Sequence, residues 1–404
     1  MRTRALRSRR LHSLAGVLAT GWLAACTTLA PTPSPPSAGS GLPPQYEATE
    51  WSALPGWTDD DVGAAWPAFR VGCRALLKAP ATEPLWRRVC EQGAATDSAD
   101  TLAVRTFFET HFSPYSIRSS DGNDSGLVTG YYEPLLAGSR VKTPRYAIPL
   151  YAEPGDLLTV DLASLHPDLK GRRLRGRLDG QRVLPYWSRA EIGAGRAMTG
   201  GNEIAWVETP IDAFFAEIQG STRIALAEGG TLRLGYANQN GHPYRAIGRV
   251  LVERGELTVE EASMQGIRAW AERHPERLPA LLNENPSYVF FREVAPPPPG
   301  SLDAAIDGPP GSLGVPLLRE RVIAADPRAI PPGAPVFIAT TEPVSMQPLR
   351  RLVLTQDTGG AIRGAVRADF FWGTGDAAGR LAGRMRQPGR LWLLWPKGVP
   401  LPKS

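Results

Sequence analysis

Gln356-Asp357-Thr358-Gly359-Gly360-Ala361-Ile362-Arg363-Gly364, running on through Arg367-Ala368-Asp369-Phe370-Phe371-Trp372-Gly373, is the stretch on which the reading of the whole chain turns. Leu352-Val353-Leu354 before it reads as a strand, and Gly359-Gly360 would supply the positive φ needed for a sharp exit from that strand. Two carboxylates then stand a short hairpin apart. Asp369 is carried into three consecutive aromatics, where loss of solvent would raise a carboxyl pKa and keep the group protonated as an acid. A tight turn capped by Asx side chains is the alternative for an isolated Asp-x-Gly-Gly.

Working outward, the last section reads as short strands separated by turns. They are Val315-Pro316-Leu317, Val322-Ile323-Ala324, Pro335 to Ala339, the Leu352 strand and Leu391-Trp392-Leu393-Leu394-Trp395. Short strands without helical crossovers suggest a small barrel. Asp326, followed by Pro327, has the turn chemistry of a structural Asx residue, which leaves Asp357 and Asp369 as the chemical pair. If both act, ordinary glycoside hydrolysis follows; if only Asp369 acts, the substrate must bring its own nucleophile.

The N-terminus opens with a basic segment, Met1 to Arg10, and an apolar run from Leu11 to Leu23 that is too short for a membrane-spanning helix. It is expected to be a secretory signal, 1–25. Leu23-Ala24-Ala25-Cys26 resembles a bacterial lipobox, which would lipidate Cys26, and Thr27 after it fits an outer-membrane destination. Removing this segment takes away five arginines and brings the formal net charge from +5 to 0. The basicity thus belongs to the signal, and a nucleic-acid partner loses its main support. Residues 26–45 have the Pro, Ser and Thr composition of a tether.

Cys73 and Cys90, in an exported chain, are expected to pair as a disulfide, with two buried thiols as the alternative. The five histidines, His12, His111, His166, His242 and His274, have no ligand-like spacing, and no Cys-x-x-Cys occurs, so nothing asks for a metal or cofactor.

Packing helices are expected early. Thr58 with Asp61 resembles a capping box ahead of Trp66, Phe69, Cys73 and Leu76; Leu85, Trp86 and Val89 mark a second helix; a third runs from about Ser98 to Phe112. Leu127 to Pro134 reads as a strand, and from there to about Gly255 strands dominate. One helix interrupts them, N-capped by Thr209, with Pro210 in its first turn, an apolar stripe of Ile211, Phe214, Phe215 and Ile218, and Gly220 at its end. Gln219-Gly220-Ser221 at that end is either a plain C-cap or a polar edge facing a ligand. Thr258 with Glu261 is a further capping box, opening a helix through Trp270; a short helix around Leu278 follows, then a strand entered at Asn285-Pro286-Ser287.

Several separated segments occur together and in order: Thr129-Gly130-Tyr131-Tyr132-Glu133-Pro134, Gly241-His242-Pro243-Tyr244-Arg245-Ala246-Ile247-Gly248, Ser263-Met264-Gln265, Asn285 to Phe291, and Asp357 to Ile362 with Asp369. The chain from about Trp66 to Trp395 resembles the membrane-bound lytic murein transglycosylase A (MltA) family. Its C-terminal part is similar to the 3D domain, whose three aspartates would be Asp326, Asp357 and Asp369. The resemblance implies a mainly β fold with packing helices, namely a double-psi β-barrel domain with a second β-domain inserted and a glycan groove between them. The corresponding boundaries are 46–133, an insert at 134–255, and 256–404. It also implies non-hydrolytic cleavage of the peptidoglycan glycan strand with Asp369 as acid and base and Asp357 assisting. Sugar contacts would come from Thr129, Gly130, Tyr131, Gln219, Ser221 and Gly360. The implied setting is a lipid anchor on the periplasmic face of the outer membrane, with murein synthases as possible partners. Glu133, if it faced the groove as a second acid, would weaken the single-carboxyl mechanism. Two rival readings are a hydrolytic muramidase or cellulase-like enzyme with Asp357 as base, and a non-catalytic murein-binding lipoprotein.

Overall fold

The computed structural model describes residues 44–97, 99–169, 174–197 and 200–402. The signal segment, Cys26 and nearly all of the expected tether lie outside the described residues. No described helix is long and apolar enough to cross a membrane.

In chain order the first strand, β1 (Gln45–Ala48), leads to three helices, α1 (Trp66–Leu76), α2 (Glu83–Ala94) and α3 (Thr101–His111), then to β2 (Phe112–Arg118) and β3 (Gly126–Glu133). The helices form because apolar residues recur at helical spacing: Trp66, Phe69, Cys73 and Leu76 line one face of α1 and are all buried. Their rings pack against Phe107, Phe108 and Phe112, with Trp66 and Phe69 stacked at 5.1 Å. Cys73 and Cys90 join α1 to α2 through a disulfide, closing a separation of 17 residues. The expected capping box at Thr58 does not form. Thr58 lies in a turn, Asp61 precedes a 3₁₀ segment at Val62–Ala65, and α1 opens at Trp66-Pro67, where proline lacks only an N–H that a first turn leaves unpaired. The third helix starts at Thr101 with Asp100 accepting from Leu102 N; Ser98 lies outside the described residues.

The middle of the chain supplies β4 (Leu135–Ser139), β5 (Ile148–Tyr151), β6 (Leu158–Thr159), β7 (Arg175–Asp179), β8 (Arg182–Pro185), α4 (Arg189–Gly193), β9 (Glu203–Val207), α5 (Pro210–Gln219), β10 (Ser221–Leu226), β11 (Thr231–Gln239), α6 (Ile247–Glu253), α7 (Met264–Arg273), α8 (Leu278–Asn283) and β12 (Val289–Glu293). A six-stranded sheet runs β12-β11-β10-β4-β9-β5, and β6-β7-β8 form a small separate sheet. Strand β12 therefore belongs with this middle part, and Ile211, Phe214 and Phe215 of α5 share a core with Ile247, Leu251, Ile267, Trp270 and Leu281 of the following helices. That core takes residues from both sides of position 255.

Thr209 caps α5 as expected, accepting from Asp212 N, and Gly220 ends it with φ 76°. The stripe differs in one place. Ile218 is exposed, whereas Glu217 is buried because Arg189 of α4 meets it with two hydrogen bonds, at 3.0 and 2.6 Å. Helices α4 and α6, which the strand-dominated reading passes over, are short and carry little periodic signal. Thr258 and Glu261 do make both capping-box bonds, but they close a turn, and α7 begins only at Met264 under Ser263.

The C-terminal part holds β13 (Val322–Ala325), β14 (Pro335–Thr341), β15 (Pro348–Asp357), β16 (Arg367–Thr374), α9 (Gly375–Ala382) and β17 (Arg386–Pro396). Val315 to Leu317 is not a strand; only Pro316 makes an isolated bridge, to Pro310. The large sheet is ordered β1-β2-β17-β14-β15-β13-β16-β3, and β3 also pairs with β17. The six strands β17, β14, β15, β13, β16 and β3 therefore form a closed circuit of hydrogen-bonded neighbours, with no free edge among them. Val322, Val336, Phe337, Leu352, Val353, Phe370 and Trp392 on these strands are all at most 2% exposed, so the circuit is covered on both of its faces, with Phe337 packing outward on Trp57.

Candidate active site

The two chemical aspartates are not joined by a hairpin. β13 lies between β15 and β16, parallel to the first and antiparallel to the second, and Ala324 is the register partner of both Asp357 and Asp369. Neighbouring strands are about 4.8 Å apart, so the two backbones stand about 10 Å from each other at one level of the circuit. The loop between the strands uses Gly364, at φ 112°, as its left-handed residue rather than Gly359 or Gly360.

On the other side of β16, β3 runs parallel and sets Thr129 against Asp369. Thr129 Oγ1 donates to Asp369 Oδ1 at 2.6 Å, and Arg367 Nη2 donates to Thr129 Oγ1 at 2.8 Å. Arg367 and Asp369, two apart on one strand, share a face. So does Phe371, whose ring lies 5.1 Å from that of Tyr131. Phe370 and Trp372 face the other way and pack on each other in the core. The aromatic wall beside Asp369 is thus Phe371 with Tyr131, not the whole triplet.

Burial raises the Asp369 pKa; Arg367 and the Thr129 bond oppose that rise, and the charge of Asp357 adds to it, leaving the group above the ordinary aspartate range. Asp357 is raised as well, by burial, against the pull of its hydrogen bonds. Its Oδ1 accepts from Ser312 N at 3.0 Å and Thr358 N at 2.9 Å, which fix the orientation of the carboxyl. The Tyr131 phenol is buried against Asp357, and burial, the charges of Asp357 and Asp369 and a hydrogen bond toward Asp357 hold it well above the usual pKa. Two carboxyls in different surroundings and a buried phenol therefore meet around Ala324.

Asp326 follows β13 directly and is 1% exposed. It accepts from Arg328 Nε at 3.0 Å and Nη2 at 2.6 Å and from Gly364 N at 3.0 Å. Burial acts to raise its pKa, but those bonds prevail and hold it low. This aspartate pins the loop that carries Gly360, which is itself exposed with open space around it.

Gln219 Oε1 accepts from Tyr132 N at 3.1 Å, so the end of α5 sits beside β3. Ser221, 8% exposed, starts β10 opposite Gly235. Gly130 has a packing reason: a Cβ there would stand 2.7 Å from Trp372 Nε1 and 2.8 Å from Ala382 Cα. Glu133 is 1% exposed and does not present a free acid; Arg223 Nε donates to it at 2.6 Å and Thr374 Oγ1 at 2.8 Å. Arg223 also holds Asp307, at 2.9 Å, so this carboxylate fastens β3 and β16 to β10.

A cavity of about 540 Å³ lies elsewhere, lined by Asp59, Asp60, Asp61, Glu320, Arg321 and Arg351 among others. It adjoins the start of β13 and is crossed by ion pairs of Arg321 with Asp60 at 2.9 Å and of Arg351 and Arg319 with Glu320. Such a network reads as structural. Among the described residues no group of three or more His, Cys, Asp or Glu is arranged to hold a metal ion.

Sequence reasoning missed Arg367, Ser312 and Arg328. Arg367 was legible as the residue two before Asp369 on a strand; Ser312 comes from a distant loop and had no local signal.

Family models match residues 127–292, as the MltA specific insert domain, and residues 321–395, as the 3D domain. Membrane-bound lytic murein transglycosylase A of Escherichia coli is 32% identical over 302 residues, covering 73% of this chain and 72% of that protein. The crystal structure of MltA from Neisseria gonorrhoeae, in its monoclinic form, is 37% identical with a TM-score of 0.75, covering 88% of this chain and 94% of that one. The crystal structure of E. coli MltA with bound chitohexaose is 26% identical with a TM-score of 0.62, covering 89% and 96%. The chain belongs to the MltA family.

Proposed function

We propose that this member of the MltA family is a lytic transglycosylase that cleaves the β-1,4 bond between N-acetylmuramic acid and N-acetylglucosamine in peptidoglycan, without water, using Asp369 as its single acid and base. The observation that carries the reading is Asp369 itself: a part-buried carboxyl, raised in pKa, whose Oδ1 is held by Thr129. Such a group is protonated where an exposed aspartate is ionised, which suits it to donate to a leaving oxygen.

Asp369 gives its proton to the glycosidic oxygen as the bond to C1 breaks. As carboxylate it then takes the proton of the muramic C6 hydroxyl, whose oxygen closes on C1 to form the 1,6-anhydro ring. No water is consumed and the carboxyl ends protonated, ready for another turn. One acid suffices because the nucleophile is already part of the substrate, with the effective-molarity advantage of an intramolecular attack. Asp357, oriented by Ser312 and Thr358, stabilises positive charge at the oxocarbenium-like centre.

Thr129, Tyr131, Gln219, Ser221 and Gly360, with the backbone of Gly130, are proposed to contact the sugars in a groove between the strand circuit and the middle β unit. The placement of Gln219 beside Tyr132 supports this. The closed six-strand circuit, with its parallel pairs β13–β15 and β16–β3, supports a double-psi barrel. We place the enzyme on the periplasmic face of the outer membrane, anchored through Cys26, with glycan strands as its substrate, no cofactor, and murein synthases as possible partners.

Asp369→Asn tests the assignment against a binding-only role. The variant is expected to retain murein binding in a pelleting assay and to lose release of soluble fragments. If wild type and variant bind alike and neither releases fragments, the protein is a murein-binding lipoprotein instead.

A further inference from the structure

The site contains a cation that the single-carboxyl mechanism does not use. Arg367 Nη2 donates to Thr129 Oγ1 at 2.8 Å, and Nη1 donates to Leu127 O at 3.3 Å and to Ala368 O. The guanidinium is therefore clamped to the backbones of β3 and β16, and it approaches Asp369 through the threonine rather than by its own hydrogen bond. A fixed fork of this kind is what distinguishes arginine from lysine.

The consequence lies in the direction of one proton. A threonine hydroxyl has a single hydrogen and can turn it toward any acceptor within reach. When its oxygen accepts from a clamped guanidinium, the hydrogen is left to point at the remaining partner, here Asp369 Oδ1 at 2.6 Å. We propose that Arg367 is a positioning residue for Asp369: its donation to Thr129 commits the Thr129 hydrogen to Oδ1, so that Oδ2 is the oxygen that carries and delivers the acid proton. This rests on the reading of Asp369 as the acid. It adds which oxygen acts and what selects it.

The charges facing Asp369 bear on how the arrangement titrates. Arg367 comes from its own strand β16, Asp357 from β15 and the Tyr131 phenol from β3, while β13 contributes only Ala324 and Ala325. β17 brings Arg386 into register with Thr129. Arg367 and the Thr129 bond favour the carboxylate, and Asp357 disfavours it. Removing Arg367 thus raises the Asp369 pKa, and so does removing the Thr129 hydroxyl. If Arg367 acts through Thr129, the two effects do not add, because a hydroxyl free to turn away is worth less to the carboxylate.

The test is a carboxyl ¹³C NMR titration of Asp-labelled protein, with Asp369→Asn identifying the resonance and thermal melts confirming that each variant is folded. Arg367→Met is expected to raise the Asp369 midpoint by about one pH unit, the low end of what an opposite charge at close range supplies. Thr129→Val is expected to raise it in wild type and to raise it less in the Arg367→Met background. Arg367→Lys keeps the charge without the fork; in that background too, the Thr129→Val shift is expected to shrink. A midpoint unmoved by Arg367→Met, or a Thr129→Val shift of the same size in all backgrounds, overturns the proposal. The titration requires no turnover, so an inactive wild-type enzyme would refute the proposed reaction while leaving this result to be read by itself.

Discussion

Asp357 and Asp369 are both register partners of Ala324, one from each side, although twelve positions separate them in the chain. The strand between them keeps the two carboxyls apart while the charge of Asp357 still reaches Asp369, and it lets their surroundings differ. Asp357 is held by backbone N–H groups, whereas Asp369 is held by a hydroxyl backed by a guanidinium. Two similar side chains can then take different roles, one oriented for charge stabilisation and one poised for proton transfer.

The pH dependence follows from the direction of the Asp369 shift. The first step needs the protonated carboxyl, and burial raises its pKa above the ordinary aspartate value. The kcat/KM profile is therefore expected to hold at low pH and to fall as pH rises through that raised pKa. A profile whose alkaline limb lies at or below the pKa of a free aspartate would contradict the assignment.

Glu133 is expected to matter for stability and not for chemistry. Arg223→Ala leaves a 1%-exposed carboxylate without its cation, and losing one partner of a buried pair costs about 3–5 kcal/mol. Glu133→Gln, which removes the charge, is expected to cost less and to leave turnover per folded molecule within a few-fold of wild type. Urea denaturation and a murein-release assay on the same samples separate the two effects.

Gly130→Ala tests packing at the edge of the site. The added methyl meets Trp372 Nε1 at 2.7 Å and the backbone of Ala382 at 2.8 Å, and overpacking of this kind costs about 1–3 kcal/mol. A lowered melting temperature is expected; an unchanged one would show that α9 moves freely enough to absorb the methyl.

The Cys73–Cys90 bridge restrains the unfolded chain across 17 residues, a loop for which closure entropy supplies about 3 kcal/mol. The Cys73→Ala, Cys90→Ala double variant is expected to lose stability on that scale while keeping the strand circuit and its activity at low temperature. Equal unfolding midpoints for the two proteins would show that the bridge adds nothing to stability.

Much of this molecule could be read from residue order. The stripe of Trp66, Phe69, Cys73 and Leu76 identified α1, and Thr209 with Pro210 and Gly220 bounded α5, because caps and helical spacing are local properties. Asp369 stood out because a carboxylate next to aromatics is costly without a purpose. What could not be read was pairing between distant segments. The Gly359-Gly360 turn suggested a hairpin, and only the insertion of β13 between β15 and β16 shows why both aspartates meet Ala324. Glu217 broke the stripe of α5 because its partner, Arg189, comes from 28 residues earlier. Arg367 lay in plain view, but its value depends on Thr129, a residue 238 positions away.

The most direct test of the single-acid, water-free mechanism is digestion of purified glycan strands in H₂¹⁸O, followed by mass spectrometry of the new ends. A water-free reaction predicts 1,6-anhydromuramic ends, one water lighter than reducing ends, with no ¹⁸O in them. New reducing ends that carry ¹⁸O, in place of anhydro ends, would show a hydrolase and would contradict the water-free mechanism in which Asp369 is the sole acid and base.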